Sequence, residues 1–322
     1  MEALHTYFGL HRPAIEDHIQ SVLGELDPLI VPVASHVLGA GGKRLRPILC
    51  VLTAEAFGYR DKEVYPLATA LELLHSATLI HDDILDGAAL RRGQPSAHLA
   101  FGVQETVLAG DALLAMANKC IAGYGQPELM RIASEAIMAT ANGEIMEIAQ
   151  LREPRLSEED YFQIITGKTA VLIQASCECG AVLAGAKGPQ RQAAQDLGRN
   201  LGIAFQLVDD ALDYTSAVED SGKPIGGDLR EGKLTLPLLF YLKSLPQEEA
   251  ERVLAAIKHG TLDEVEQSAI ITAIGQAHLA EATREVAAGY LEQARKALQF
   301  FPAGPCQTLL GSILEYVQYR NT

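Results

Sequence analysis

The stretch from Val64 to Ile80 is apolar nearly all round and shows no alternation of apolar and polar residues. It is rich in Ala and Leu, which are good helix formers, so it predicts an α-helix that is buried on most of its sides. A helix buried so completely needs other helices around it, and we therefore predict an all-α fold. Similar helical runs cover Gln104 to Ala122, Pro127 to Gln150, Ser157 to Ala184, Arg191 to Tyr214, Gln247 to Lys258 and Leu279 to Phe300.

The breaks between these runs are short, and the sequence shows neither a repeat nor a long linker. With 322 residues, of which 48% are hydrophobic, the chain can bury a sizeable core. We therefore predict one domain over residues 1–322, with many helices around a central space. The segment after about Leu245 is more polar, which leaves a helical subdomain there as an alternative.

The charge balance disfavours a nucleic-acid binder, because 26 Lys and Arg against 41 Asp and Glu give a net charge of −15. The five cysteines are scattered through apolar surroundings, as expected for reduced thiols in the cytoplasm. Cys177 and Cys179 lack a second pair or a nearby His cluster, which favours a structural role over zinc binding. The first thirteen residues show no signal pattern, and no apolar run has transmembrane length, so we predict a soluble, cytoplasmic protein.

Two acidic motifs each close an apolar helix. Asp82 and Asp86 are four residues apart and so project from one helix face, separated by about 6 Å along the axis. The same spacing recurs at Asp209 and Asp213, after the apolar run that ends at Val208. Two like charges at this spacing destabilise a helix unless a cation lies between them, and carboxylate oxygens suit Mg²⁺.

A solvated acidic helix end would explain either motif alone, and a general acid–base pair is a second alternative. The second copy weakens the first explanation, because carboxylates that follow buried helices lose solvation without a cation. The two motifs together hold six carboxylates, three in Asp82-Asp83 with Asp86 and three in Asp209-Asp210 with Asp213. An acid–base pair needs only two, so the sequence favours metal binding.

Cations gather beside both acidic motifs. Lys43, Arg44 and Arg46 follow two glycines at a predicted helix start, where a backbone can approach an anion closely. A single lysine is usually only a surface charge, but cations next to magnesium-type sites predict a substrate that carries diphosphates. The remaining cations of this set are Arg91, Arg92, Lys168, Lys223 and Lys233. The segment around Lys168 is not a nucleotide-binding P-loop, because the preceding glycine pattern and strand are missing.

Taken together, these residues resemble the trans-isoprenyl diphosphate synthases, or polyprenyl synthetases. The resemblance spans Gly41 to Pro237, about three-fifths of the chain. It rests on ordered motifs, which are Gly41-Gly42-Lys43-Arg44, Leu79-Ile80-His81-Asp82-Asp83 with Asp86, Arg91-Arg92-Gly93, Gly110-Asp111, Gly167-Lys168-Thr169, Phe205-Gln206-Leu207-Val208-Asp209-Asp210 with Asp213-Tyr214, Gly222-Lys223 and Gly232-Lys233-Leu234-Thr235-Leu236-Pro237.

The resemblance implies the isoprenoid synthase fold, with helices around a deep central cavity, and a homodimer. It implies a prenyltransferase that condenses isopentenyl diphosphate head-to-tail with an allylic diphosphate, using three Mg²⁺ ions per active site. The residues that match metal ligands are Asp82, Asp83, Asp86, Asp209 and Asp213. Those that match the allylic diphosphate site are Arg91, Lys168, Lys223 and Lys233, and those that match the isopentenyl diphosphate site are Lys43, Arg46, His75 and Arg92. Thr169 and Gln206 match residues beside the reacting carbon, and they complete a catalytic set with Asp82, Asp86, Asp209 and Lys168.

Thr78 and Ala77 lie four and five positions before Asp82, about one helical turn deeper. Neither is aromatic, and a bulky residue here resembles the floor that stops chain growth in the family. We therefore predict a medium- or long-chain all-trans product, hexaprenyl to decaprenyl diphosphate, as a quinone side-chain precursor. Ala112 stands where long-chain relatives often carry an aromatic residue, which leaves a farnesyl or geranylgeranyl diphosphate synthase as the alternative.

Two other classes are disfavoured. A regulatory subunit of a two-subunit synthase should have eroded acidic motifs, and a terpene cyclase needs no isopentenyl pocket. An apolar product predicts transient membrane contact at release, although no basic amphipathic helix supports it. Arg320 is expected to fray near the chain end rather than reach an anion, and Asp111 to cap a helix or pair with a nearby cation.

Overall fold

The computed structural model describes residues 2–215 and 225–320, which form sixteen α-helices, one π-helical turn and a two-stranded hairpin. The predicted all-α fold is confirmed. Each predicted helical run appears with ends shifted by a few residues, but the run from Ser157 to Ala184 is divided by the π turn (Thr166–Ala170). The helices are α1 (Glu2–Leu23), α2 (Val31–Gly39), α3 (Leu45–Ala56), α4 (Val64–Leu85), α5 (Ala97–Phe101), α6 (Val103–Ala122), α7 (Pro127–Arg152), α8 (Glu158–Ile165), α9 (Val171–Leu183), α10 (Pro189–Leu212), α11 (Gly227–Arg230), α12 (Leu236–Ser244), α13 (Gln247–His259), α14 (Glu264–Gln276), α15 (Leu279–Leu298) and α16 (Pro305–Gln318).

The chain divides into two compact units, and the first comprises Met1–Ile137, Leu172–Gln195 and Phe300–Leu310. Helix α4 is central to this unit and packs against α1, α3 and α6. Its Leu67 and Leu71 are completely buried, so the apolar run read from the sequence is confirmed as a core helix. This burial fixes the helix that ends in the first acidic motif.

The second unit comprises Met138–Val171, Asp196–Gln299 and Gly311–Thr322. Helix α12 packs against α13, α14 and α15, and its Leu238 and Leu239 are completely buried. The polar segment that follows Leu245 therefore shares a core with the helix that precedes it.

A short hairpin follows the first acidic motif. Strands β1 (Leu90–Arg91) and β2 (Gln94–Pro95) pair antiparallel, with Arg91 opposite Gln94. The two residues between them, Arg92 and Gly93, both have positive φ values of 52° and 77°. Two consecutive residues with positive φ form the type of turn that matches the twist of a tight hairpin. The left-handed backbone of Arg92 costs energy, but it closes the hairpin that carries Arg91 and Arg92.

All five cysteines are free thiols. Cys177 and Cys179 are completely buried, and burial raises the pKa of the Cys177 thiol to about 12. A thiol that keeps its proton is a poor metal ligand, which agrees with the predicted structural role. Among the helices described, none combines the length and the apolar character needed to cross a lipid bilayer.

Candidate active site

The first acidic motif lies at the carboxyl end of α4. The Asp86 backbone N–H donates to the Asp82 carbonyl at 2.8 Å, so the helical pattern extends through both residues. The two carboxylates therefore lie one turn apart on the same face, Asp82 half-buried and Asp86 exposed. Hard oxygen donors in this arrangement fit Mg²⁺.

The Asp83 side chain points away from the face that carries Asp82 and Asp86, because successive residues of a helix are rotated by about 100° around its axis. Its carboxylate is buried and accepts a hydrogen bond from Arg91 Nε at 2.8 Å, with a second contact from Arg91 Nη2. The structure thus pairs two predicted site residues with each other, and Asp83 anchors the hairpin to α4.

Arg46, His75 and Arg92 form a cluster in the first unit, and the Glu72 carboxylate acts on both of its arginines. Arg46 Nε is buried and has no hydrogen-bond partner among the described residues. Burial lowers the pKa of Arg46 to about 10 and holds the pKa of His75 well below its ordinary value, with Arg46 and Arg92 lowering the latter further. Gly42 approaches this cluster so closely that a Cβ there would lie 2.9 Å from Arg92 Nη1. Lys43, next to Gly42, is exposed. Because Arg46 Nε has lost water without gaining a partner in the described part of the chain, this arrangement is suited to an anion that restores the lost interaction.

Arg44 is different, although it lies beside Lys43 and Arg46 in the sequence. It adopts a left-handed φ of 49° before α3, which turns its side chain into the core. There it donates to Glu72 at 2.8 Å, to Glu16 at 2.9 Å and to the Leu38 carbonyl at 2.6 Å. Arg44 therefore holds the helices together and is not free to bind an anion.

His81 precedes the first acidic pair and explains the Gly110-Asp111 motif. A Cβ on Gly110 would overlap the His81 ring, so glycine here leaves the space that this ring occupies between α4 and α6. His81 Nε2 lies 3.3 Å from the Val107 carbonyl oxygen and 3.8 Å from Asp111 Oδ1. Asp111 is thus next to a group that becomes a cation when protonated, as the sequence analysis expects.

Ala77 and Thr78 lie in the same helix. Ala77 is completely buried, and the Thr78 hydroxyl donates to the His75 carbonyl at 2.8 Å. Both side chains are small, so this deeper turn of α4 carries no bulky group.

The second acidic motif belongs to the second unit and ends α10. Asp209 is exposed, whereas Asp210 is buried and accepts hydrogen bonds from Tyr161 Oη at 2.5 Å and Gln206 Nε2 at 2.7 Å. Burial is the main cause that raises the pKa of Asp210 to about 7. Asp213 accepts the backbone N–H groups of Gly227 at 3.1 Å and Asp228 at 3.0 Å. Asp209 therefore offers the motif's most accessible carboxylate.

The π turn carries Lys168 and Thr169. Gly167 and Gly143 allow close packing of the turn on α7, since a Cβ on Gly143 would lie 2.8 Å from the Lys168 nitrogen. Lys168 Nζ pairs with Glu144 at 2.7 Å and also with Glu147. These carboxylates raise the pKa of Lys168 despite its burial, so its ammonium stays charged.

Thr169 begins a hydrogen-bond chain. Its hydroxyl donates to Gln206 Oε1 at 2.8 Å, and the Gln206 amide continues to Asp210. Because each amide group has a partner, the chain fixes the orientation of both predicted site residues.

Several important residues were not predicted from the sequence. Glu144 and Glu147 have the three-residue spacing of a helix face, which was a usable signal. Tyr161 had none, because its partner Asp210 is distant in sequence. Lys233 pairs with Glu231 at 2.7 Å, and Lys223 lies outside the described residues.

Arg320 corrects an expectation. It does not fray: its side chain is 15% exposed, and Nη2 lies 3.1 Å from Asp209 Oδ1. The backbone there is held because Arg284 Nη2 donates to the Arg320 carbonyl at 3.0 Å.

The polyprenyl synthetase family model matches residues 27–274, and the chain belongs to this family. Over 293 residues it is 36% identical to the octaprenyl diphosphate synthase of Escherichia coli K12, covering 91% of this chain and 90% of that protein.

Two solved structures have the same fold. One is a decaprenyl diphosphate synthase from Rhodobacter capsulatus, with a TM-score of 0.93, 34% identity and coverage of 100% of this chain and 99% of that one. The other is a polyprenyl synthase from Caulobacter crescentus CB15 complexed with calcium and isoprenyl diphosphate, with a TM-score of 0.91, 36% identity and coverage of 99% and 98%. The predicted family, its isoprenoid synthase fold and its class, the prenyltransferases, are confirmed.

Proposed function

We propose that this chain condenses isopentenyl diphosphate head-to-tail with an allylic diphosphate and makes a medium- or long-chain all-trans polyprenyl diphosphate. The observation that carries the proposal is the cluster of Arg46, His75 and Arg92, in which Arg46 Nε is buried without a hydrogen-bond partner among the described residues and the two guanidiniums share the nearby Glu72 carboxylate. A diphosphate supplies an anion for this cluster, and the exposed Lys43 extends the same site. We assign these four residues to isopentenyl diphosphate.

We assign Mg²⁺ to the two acidic motifs. Asp82 and Asp86 present oxygen donors one turn apart, and Asp209 presents an exposed carboxylate with Asp213 nearby in sequence, a donor set that fits a hard cation. We assign Asp83 to holding Arg91 instead, because its carboxylate is buried in that ion pair. Bound Mg²⁺ supplies shielding of the diphosphate charge as the leaving group departs. A count of three ions remains part of the proposal.

The remaining side chains stabilise the leaving diphosphate and orient the substrate. Arg91, Lys168, Lys223 and Lys233 are assigned to the allylic diphosphate, where positive charge stabilises the negative charge that develops on the leaving group. Lys168 suits this role because two glutamates hold its ammonium in place. Thr169 and Gln206 are fixed by hydrogen bonds, and we place them beside the reacting carbon.

Substitution in the first acidic motif tests the metal assignment. Asp82→Asn and Asp86→Asn should each reduce Mg²⁺-dependent incorporation of labelled isopentenyl diphosphate by about a hundredfold or more. Asp17→Asn, which changes an exposed carboxylate of α1, is the matched control and should retain activity. Full activity in both motif variants contradicts the assignment.

The product class follows from the small residues Ala77 and Thr78 and from the octaprenyl and decaprenyl synthases among the relatives. We propose a product between hexaprenyl and decaprenyl diphosphate that serves as a quinone side-chain precursor. Chromatography of products made from several allylic primers tests the length. A product that stops at farnesyl or geranylgeranyl diphosphate supports the short-chain alternative.

The proposal includes a homodimer of one-domain chains. Val103, Val107 and Leu108 are exposed apolar residues on adjacent turns of α6, a pattern that suits contact with a second copy. Sedimentation equilibrium should show a dimer that Leu108→Asp weakens, whereas Leu29→Asp, at an isolated exposed leucine, should not. A monomeric wild-type chain contradicts this part.

We place the enzyme in the cytoplasm, which the five free cysteines support. We also propose that it contacts membranes transiently when the apolar product leaves. Liposome flotation should recover more protein with bound product than without it, and equal recovery contradicts the contact.

A further inference from the structure

Arg320 occupies a well-defined place on α10. Its guanidinium lies 3.1 Å from Asp209 Oδ1, and its Cζ lies 5.0 Å from the centre of the Phe205 ring. Phe205 and Asp209 are four residues apart, so ring and carboxylate lie on one helix face and contact the same guanidinium.

The backbone around Arg320 is held independently. Arg284 Nη2 donates to the Arg320 carbonyl, and Arg295 Nη2 donates to Gln318 Oε1 at 2.5 Å. The side chain of Arg320 is 15% exposed, against 49% for Asp209. The contact therefore combines an ion pair, a ring contact and a fixed backbone.

A guanidinium and a divalent cation are both attracted to a carboxylate. They repel each other when both lie within contact distance of it, so they compete for the carboxylate. We propose that Arg320 holds Asp209 when no metal is bound and is displaced from it when a divalent cation binds. Tyr319 and Arg320 would then respond to occupancy of the second acidic motif. This inference rests on the proposed function, which assigns Asp209 to the metal.

The chain contains no tryptophan, so Tyr319→Trp introduces a single fluorescent reporter beside Arg320. Tyr319 is an exposed residue outside the proposed site. In this background, titration with MgCl₂ or MnCl₂ without substrates should change the fluorescence, and Arg320→Ala should abolish that change.

Removing the competitor should also strengthen metal binding. Calorimetry with Mn²⁺ should show that Arg320→Ala binds the metal about three- to tenfold more tightly than wild type, and Arg320→Lys should fall between them. Arg295→Ala disturbs the same segment without touching Asp209, and its metal affinity should equal that of wild type.

The outcomes are distinct. If Asp209→Asn weakens metal binding but Arg320→Ala binds metal as wild type does, the competition is overturned and the metal assignment stands. If Asp209→Asn leaves metal binding unchanged, the metal assignment of the proposed function fails, and the inference fails with it.

Discussion

Replacement of Arg46 by methionine should stabilise the fold while it removes the proposed isopentenyl diphosphate site. Burial lowers the pKa of Arg46 to about 10, against about 12.5 for an exposed arginine, and this difference corresponds to about 3 kcal/mol. Below pH 10 the guanidinium is protonated in both the folded and the unfolded chain, so the full penalty applies at neutral pH.

Part of the Arg46 side chain still meets solvent, so we expect a smaller gain, about 1–2 kcal/mol. Methionine keeps most of the volume and needs no hydrogen-bond partner. The melting temperature measured by scanning calorimetry at pH 7 should therefore rise by about 1.5–3 °C.

Arg44→Met is the matched control, two residues away, and should have the opposite effect. Arg44 is paired with Glu72, which is only 3% exposed, and its loss leaves that carboxylate buried without its partner. A destabilisation of about 3–5 kcal/mol is expected.

Ligand binding supplies the second measurement. Isopentenyl diphosphate should raise the melting temperature of wild type but not that of Arg46→Met. The reasoning is refuted if Arg46→Met destabilises the fold as Arg44→Met does, or if the ligand still stabilises the variant.

Three further predictions concern the first unit. Gly110→Ala should displace His81, cost about 1–3 kcal/mol in thermal unfolding and lower kcat, whereas Gly9→Ala, with open space around it, should not destabilise; equal melting temperatures would contradict the packing argument. Binding of isopentenyl diphosphate should raise the low pKa of His75 and so take up protons, with affinity increasing as pH falls. Calorimetry in buffers of different ionisation enthalpy measures this uptake, which His75→Asn should remove; the same uptake in that variant argues against the assignment. Ala77→Phe should shorten the product, and an unchanged product length means that this turn of α4 does not limit growth.

The helices were predictable because they depend on local residue patterns. The apolar run that begins at Val64 continues as a helix through Leu85, as its composition indicates. The spacing of Asp82 and Asp86 likewise fixes their common face, whatever the rest of the chain does.

Long-range partners made the remainder unpredictable. Arg44 turns inward because Glu16 and Glu72, 28 residues away on either side, receive its guanidinium. Arg320 is ordered because Asp209 lies beneath it, more than a hundred residues earlier in the chain. In both cases the sequence identifies a cation, but the carboxylate that pairs with it depends on the tertiary fold.

The π turn limits how this segment can change in length. A helix that contains one wider turn has accepted an additional residue, and deletion of any residue from Thr166 to Ala170 would restore a regular helix. The helices on either side would keep their orientation, because the wider turn absorbs the additional residue, and the side chains within the turn would shift. Lys168 would lose its two glutamates or Thr169 its glutamine, although no residue had been substituted. A one-residue deletion here should therefore abolish these contacts while the two flanking helices remain folded.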